Sequence, residues 1–480
     1  MRPTSIVALL GCLYYNSASA ASPFEARGSL LRQYKLTSVS PLHHDHDIDA
    51  IETGVLKTLA VAPAGAVATT SSAPEAVSTL VGGFTTMLTL GSVYCWGNFI
   101  SYLPPYLQYF SSTTTTGPSD ALLVVPLSMC FQFIGMLLSP KIQASFGLQN
   151  TMLIGSLTMS LGCYLASYQT TLAPFLFFYS ILFGTGIGMA YTSPLIMGFN
   201  WFPTRKGMVS GVVLAGFGLG GFFFNKIGSG FGNPLGLEAG SKAFEGVYDA
   251  FPTMLRKLSM VYLGMQVVGW ALCKVPKGSK VGASPTVNGK GTTVGAALKT
   301  KEFWIIWSCI VLSATAGMNT VSTYKLFGMT NSALRNDAYL GLVGGLGACA
   351  NGFGRTGWGI GLDKLGFKKL FVILTFAQSL IMLTMGQYTG NRVAYGAACM
   401  ALFGCFGGNF AMAPGVCSRV FGEIGPRVYG YMFSAFGVAA IGGNALNKIL
   451  LDAFGYKFVF NLMALMSALG GLLVTQLKLV

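Results

Sequence analysis

From about residue 80 to its end the chain repeats one unit: an apolar run of about 20 residues, then a short polar loop. The runs fall near 80–104, 120–138, 150–168, 173–197, 207–227, 256–273, 303–324, 339–359, 369–388, 393–415, 427–449 and 456–477. The hydrocarbon core of a bilayer is about 30 Å thick and takes about 20 helical residues to cross. Lipid leaves no partner for exposed backbone groups, so only helices and closed barrels can span it. These runs are too long for tilted barrel strands. The chain is 52% hydrophobic and 9% charged, where soluble domains carry about 25% charge. The expectation is an all-α multi-pass membrane protein with twelve transmembrane helices. Sixty-four glycines suit closely packed helices, since small residues let backbones approach.

The runs divide into two sets of six. Residues 1–20 read as a secretory signal, with Arg2 as its charged start, Ile6 to Tyr15 as a short apolar core and Ala18-Ser19-Ala20 as a cleavage site. Residues 21–78, rich in Ser, Thr, Ala and Pro and without sustained periodicity, read as a disordered leader. Residues 79–273 form a first six-helix bundle and 302–480 a second. Residues 274–301 are a basic linker carrying Lys274, Lys277, Lys280, Lys290, Lys299 and Lys301. The bundles repeat each other. Leu214-Ala215-Gly216-Phe217-Gly218 is echoed by Ser434-Ala435-Phe436-Gly437, and Asn225-Lys226-Ile227 by Asn447-Lys448-Ile449.

The net charge of +15 comes from basic residues spread over short loops. That is the pattern of loops held on the cytosolic side of a membrane, and it does not indicate a nucleic-acid partner. Both termini then lie on the basic side, which conflicts with cleavage of a translocated signal. Either the leader is not cleaved as a signal, or it is the first half of a two-part import sequence leading to a plastid envelope. The acidic residues Glu25, Asp45, Asp47, Asp49 and Glu52 weigh against the second option. A plasma membrane and an organelle membrane both stay open as destinations. The ten cysteines lie mostly in apolar runs without paired spacing and read as packing residues. All three histidines fall in His43-His44-Asp45-His46-Asp47, read as a solvated polar patch. No metal site or cofactor is expected, a monomer is the default, and no cluster of His, Asp, Glu or Cys at membrane depth suggests an enzyme.

One residue breaks the apolar pattern. Arg355 lies near the end of a span that is otherwise uncharged back to Tyr339. An ionised side chain in the bilayer costs about 2.5–3.5 kcal/mol on insertion scales and normally faces a cavity or a partner. It therefore marks a site that attracts an anion, or a gate residue that snorkels to the surface near Asp363.

The stretch Gly354-Arg355-Thr356-Gly357-Trp358-Gly359-Ile360-Gly361-Leu362-Asp363-Lys364-Leu365-Gly366-Phe367-Lys368-Lys369 resembles the loop signature of the major facilitator superfamily, G-x-x-x-D-(R/K)-x-G-x-(R/K)-(R/K). Two parallel six-span repeats with a site between them at mid-membrane are the architecture of that superfamily. Four stretches further resemble the oxalate/formate antiporter family and the monocarboxylate carriers: Gly91 to Phe99, Trp201 to Gly221, Asn351 to Gly359 and Tyr429 to Gly437. The likeness covers about residues 80–478.

The resemblance implies a secondary transporter of a small organic anion working by alternating access in a lipid bilayer, with Arg355 binding the substrate carboxylate. Gly359, Asp363, Lys364, Gly366 and Lys368 would form the gate loop, with Arg205 and Lys206 facing it. Asp363 can cap a helix and pair with a base, whereas the first-half counterpart, Ser139 to Gly147, lacks the acid. Dicarboxylate antiporters have a lysine where Phe436 stands, so a monocarboxylate is expected. Proton-coupled carriers have an aspartate where Asn351 stands and a lysine in span one, where this chain has Asn98. Uniport or anion exchange is therefore expected over proton symport. Tyr94, beside Asn98 in span one, is a further candidate for the cavity wall. The alternatives are a carrier of a neutral or amphoteric solute, with Arg355 purely a gate, and a receptor that binds without transport.

Overall fold

The computed structural model describes residues 73–110, 119–235, 237, 245–276 and 293–477. The signal, nearly all of the leader, the histidine patch and the middle of the linker lie outside them. Among the described residues the chain is helical and builds twelve membrane-length rods. The first half holds α1 (Pro74–Tyr102), α2 (120–146), α3 (148–166), α4 (Leu172–Trp201), α5 (Lys206–Gly232) and α6 (Glu245–Leu272). The second holds α7 (Lys301–Met329), α8 (Asp337–Leu365), α9 (Phe367–Leu383), α10 (Arg392–Val420), α11 (425–454) and α12 (456–473).

Two boundaries differ from expectation. Residues 73–78, assigned to the leader, are already helical and open α1. The sixth helix starts at Glu245 and not near 256. Its added turns carry Glu245 and Asp249, and that polar sequence hides a continuous helix from a hydropathy reading. Composition alone also underrates α8, because the glycines, Asn351, Arg355 and Asp363 dilute its hydropathy. Packing within the protein, not contact with lipid, accounts for that sequence.

The internal repeat is written into the backbone. α2 turns into α3 at Gly147 (φ 79°, ψ 169°), and α8 turns into α9 at Gly366 (φ 76°, ψ 163°). These are equivalent points of the two halves with the same positive-φ geometry, which only glycine adopts without strain. Gly455 makes a like break between α11 and α12 (φ 72°). Prolines sit inside α4 and α10 at matching places, Pro194 and Pro414.

The halves meet most closely where α5 crosses α8. A Cβ on Gly359 would lie 2.2 Å from the Gly207 carbonyl oxygen, and one on Gly211 would lie 2.6 Å from that of Arg355. No side chain fits between the two backbones at this seam.

Candidate functional site

α8 starts at Asn336, whose side chain accepts from the Tyr339 amide. Along the helix Asn351, Arg355, Gly359 and Asp363 recur every four residues, which places them on one face. That face lies against α5. Arg355 is 1% exposed and is the largest fully buried side chain among the described residues. Its Nε and Nη2 donate to Asn351 Oδ1 at 3.2 and 3.0 Å. Its Nη1 donates to the Leu214 carbonyl on α5 at 3.1 Å. The guanidinium carbon lies 4.6 Å from the centre of the Phe410 ring and 5.8 Å from that of Phe217.

Each of these partners is neutral. Among the described residues no hydrogen bond or ion pair joins Arg355 to a carboxylate. The titratable side chains that bear on it are the phenols of Tyr94, Tyr191 and Tyr429. Tyr191 on α4 and Tyr429 on α11 are fully buried, their rings 6.3 Å apart, and neither hydroxyl reaches a partner at normal hydrogen-bond geometry. The site is a positive charge among aromatic rings, with hydroxyl groups from both halves close by. A buried charge without a counter-ion is costly, so the arrangement favours an anion that brings a negative group to it.

Phe436 is buried and stacks on Phe410, with ring centres 4.1 Å apart at 10°. Arg355, Phe410 and Phe436 thus form one column of a cation and two rings, and Phe436 is where the resemblance places a lysine in dicarboxylate antiporters. Asn351 holds Arg355 and also donates to the Phe403 carbonyl at 3.2 Å, tying α8 to α10. Tyr94 is set edge-on to Phe217 at 5.4 Å and lies beside Gly221. Asn98 is not brought to the guanidinium. Its Nδ2 donates to Ser229 Oγ at 3.0 Å, about two turns further along α5 than Gly221.

The residues that the resemblance assigns to a gate loop lie apart from Arg355, at the basic end of the seam. Asp363 accepts from the amides of Gly207 and Met208, at 2.9 and 2.6 Å, in the first turn of α5. A carboxylate suits the positive end of a helix dipole. Arg419 on α10 pairs with Asp363 at 2.5 Å and donates to the Leu362 carbonyl at 3.1 Å. Lys206 reaches the Ser418 carbonyl across the halves at 3.5 Å. Arg205 immediately precedes α5. Lys364 is exposed, Lys368 half-buried, and Gly366 is the turn between α8 and α9.

Two further polar side chains on the membrane-length helices make packing contacts. Asn319 bonds to Asn447 inside the second half, and Thr192 to Ser139 and Gln143 inside the first. Sequence reasoning had no means of finding the Leu214 carbonyl or Phe410, since neither differs from ordinary core. Arg419 was visible only as one loop charge among many.

Comparison with known proteins bears on the fold. No protein-family model matches the chain. The apicoplast pyruvate carrier 1 of Toxoplasma gondii is 28% identical, over 82% of this chain and 87% of its own. The oxalate:formate antiporter of Oxalobacter formigenes is 27% identical, over 63% of this chain and 69% of its own. Among solved structures, the proton:xylose symporter XylE from E. coli, bound to 6-bromo-6-deoxy-D-glucose, superposes with a TM-score of 0.65 at 13% identity, covering 84% of this chain and 96% of that one. The chain is a multi-pass membrane protein of the major facilitator fold, and its relatives are transporters of that superfamily, not enzymes.

Proposed function

We propose that the protein carries a small organic monoanion, a monocarboxylate, across a membrane by alternating access. The observation that carries this reading is the buried Arg355 guanidinium, held by an amide oxygen and a backbone carbonyl and by no acid. A guanidinium offers paired donors to the two oxygens of a carboxylate and stays charged. A substrate carboxylate is a better acceptor than the Leu214 carbonyl and can displace it. Arg355 then has two states. Without substrate it bonds α5 across the seam; with substrate it turns that bond over to the anion. Binding thereby loosens the contact between the halves, which is the coupling an alternating-access carrier requires.

Phe436 supports one carboxylate over two. A dianion on Arg355 would leave its second charge against the Phe410–Phe436 stack, and unpaired buried charge is disfavoured by several kcal/mol. Asn351 supports uniport or exchange over proton symport, because an amide does not carry a proton on and off at physiological pH. The name of the Toxoplasma relative adds pyruvate as the first substrate to try, and an organelle envelope as the first membrane to examine.

The test is counterflow into proteoliposomes loaded with a monocarboxylate, comparing the wild type with Arg355→Gln. Flux of pyruvate, lactate or formate that the variant loses supports the reading. Equal flux in the variant, or a preference for oxalate over every monocarboxylate, overturns it. The bond to Leu214 also favours a second reading, in which the solute is neutral and Arg355 serves only the seam. In that case the variant would impair sugar or amino-acid flux and no anion would move.

A further inference from the structure

A groove of about 400 Å³ opens at the basic end of the second half, where the start of α7 meets the end of α12. Its polar walls include Lys299, Lys301 and Gln476, beside the hydroxyl side chains Thr300 and Ser308; its apolar walls are Trp304, Ile305 and Leu473. Glu302 is the neighbouring acid in the first turn of α7, and its side chain does not line the groove. Below it, α12 exposes Leu465, Leu469 and Leu472, at 55%, 45% and 66%. Spaced four and three residues apart, they make one apolar stripe that ends at Gln476 and the lysines. Trp304 is 53% exposed and packs edge-on to Trp307, with ring centres 5.6 Å apart, in the manner of tryptophans at a membrane interface.

We infer that this groove binds one anionic phospholipid, with the phosphodiester between Lys299 and Lys301 and an acyl chain laid along the Leu465–Leu469–Leu472 stripe. Charge and shape point to the same occupant. Two ammonium groups face a groove whose nearest acid is turned elsewhere, so the groove complements a headgroup of net negative charge. Its floor continues into a lipid-facing apolar face, which a soluble phosphate would not use. Basic pockets between transmembrane helices at the headgroup level are the usual form of such sites. The site lies apart from Arg355 and does not depend on what the carrier transports.

The test is native mass spectrometry of the full chain, released from detergent containing equal amounts of phosphatidylglycerol and phosphatidylethanolamine. One retained phosphatidylglycerol is expected on the wild type. Its affinity should fall about thirtyfold in a Lys299→Gln/Lys301→Gln variant, as two lysine contacts imply. The same lipid should stay bound in Lys457→Gln, an exposed lysine at the other end of α12. Adding sn-glycerol 3-phosphate should leave the bound lipid in place. Equal retention of the two lipids, equal loss in the Lys457 variant, or displacement by glycerol phosphate would each overturn the inference. Both substituted lysines are exposed, and the intact mass and thermal unfolding of the variant show that it has folded.

Discussion

Arg355 and Asn351 stand one helical turn apart on α8, and the amide oxygen of Asn351 accepts twice from the guanidinium, at 3.2 and 3.0 Å. The contact fixes the direction of the arginine fork without cancelling its charge. An aspartate here would hold the side chain equally well and would neutralise it. On the proposed function, this position sets whether Arg355 is open to a substrate anion.

Asn351→Asp should convert the site. Near pH 7 the new carboxylate would pair with Arg355 and compete with substrate, weakening anion uptake by about tenfold or more. The pairing also holds that carboxylate below its usual range, so the loss should persist across pH 5 to pH 8. Initial rates of monocarboxylate uptake over that range check this; rates equal to wild type would contradict it.

Arg355→Gln should abolish anion flux while leaving the protein folded. It removes a buried charge that has no acid partner, so thermal unfolding should shift little or upward. Arg355→Lys should recover only part of the flux, since a point charge cannot make the fork. Counterflow and a thermal melt on the same samples separate binding from stability.

Phe436→Lys should broaden the substrate range. A second cation at the far end of the Arg355–Phe410–Phe436 column would give a dianion two partners, and oxalate should begin to compete with monocarboxylate uptake. A variant that folds and still ignores oxalate would show that the second charge cannot reach the substrate.

Gly359→Ala should block closure of the seam. Its methyl group would lie 2.2 Å from the Gly207 carbonyl, a distance only backbone movement can relieve, and overpacking of this kind costs about 1–3 kcal/mol. The expected result is a correctly inserted protein with little transport; flux equal to that of the wild type would contradict it.

Asp363→Asn should weaken the same closure to a similar extent. It removes the charge from two helix-terminal hydrogen bonds and breaks the pair with Arg419, worth about 1–3 kcal/mol together. Labelling at the basic end should rise and the exchange rate should change, with substrate affinity at Arg355 nearly constant. A change in affinity alone would place Asp363 in the substrate site.

Much of the fold was legible because a bilayer imposes a length on every span and glycine marks the sharp turns. The break between the halves, the turn at Gly366 and the lone charge of Arg355 all stood out on that account. The extra turns of α6 did not, because a helix that leaves the hydrocarbon loses its hydropathy signal. Asn98 was grouped with Arg355 through the resemblance, which gives a span but not a depth, and its partner Ser229 lies well along α5. The Leu214 carbonyl is a backbone atom and has no residue signature. Tyr429 and Phe410 share their composition with the core, and only packing distinguishes them from it.

The matched turns at Gly147 and Gly366 set a standard against which the two halves can be compared. Three residues before Gly366 stands Asp363; three before Gly147 stands Ala144. The two halves therefore differ at this point: Asp363 reaches across to the Gly207 and Met208 amides, and the matching position of the first half holds a methyl group that can accept no such bond.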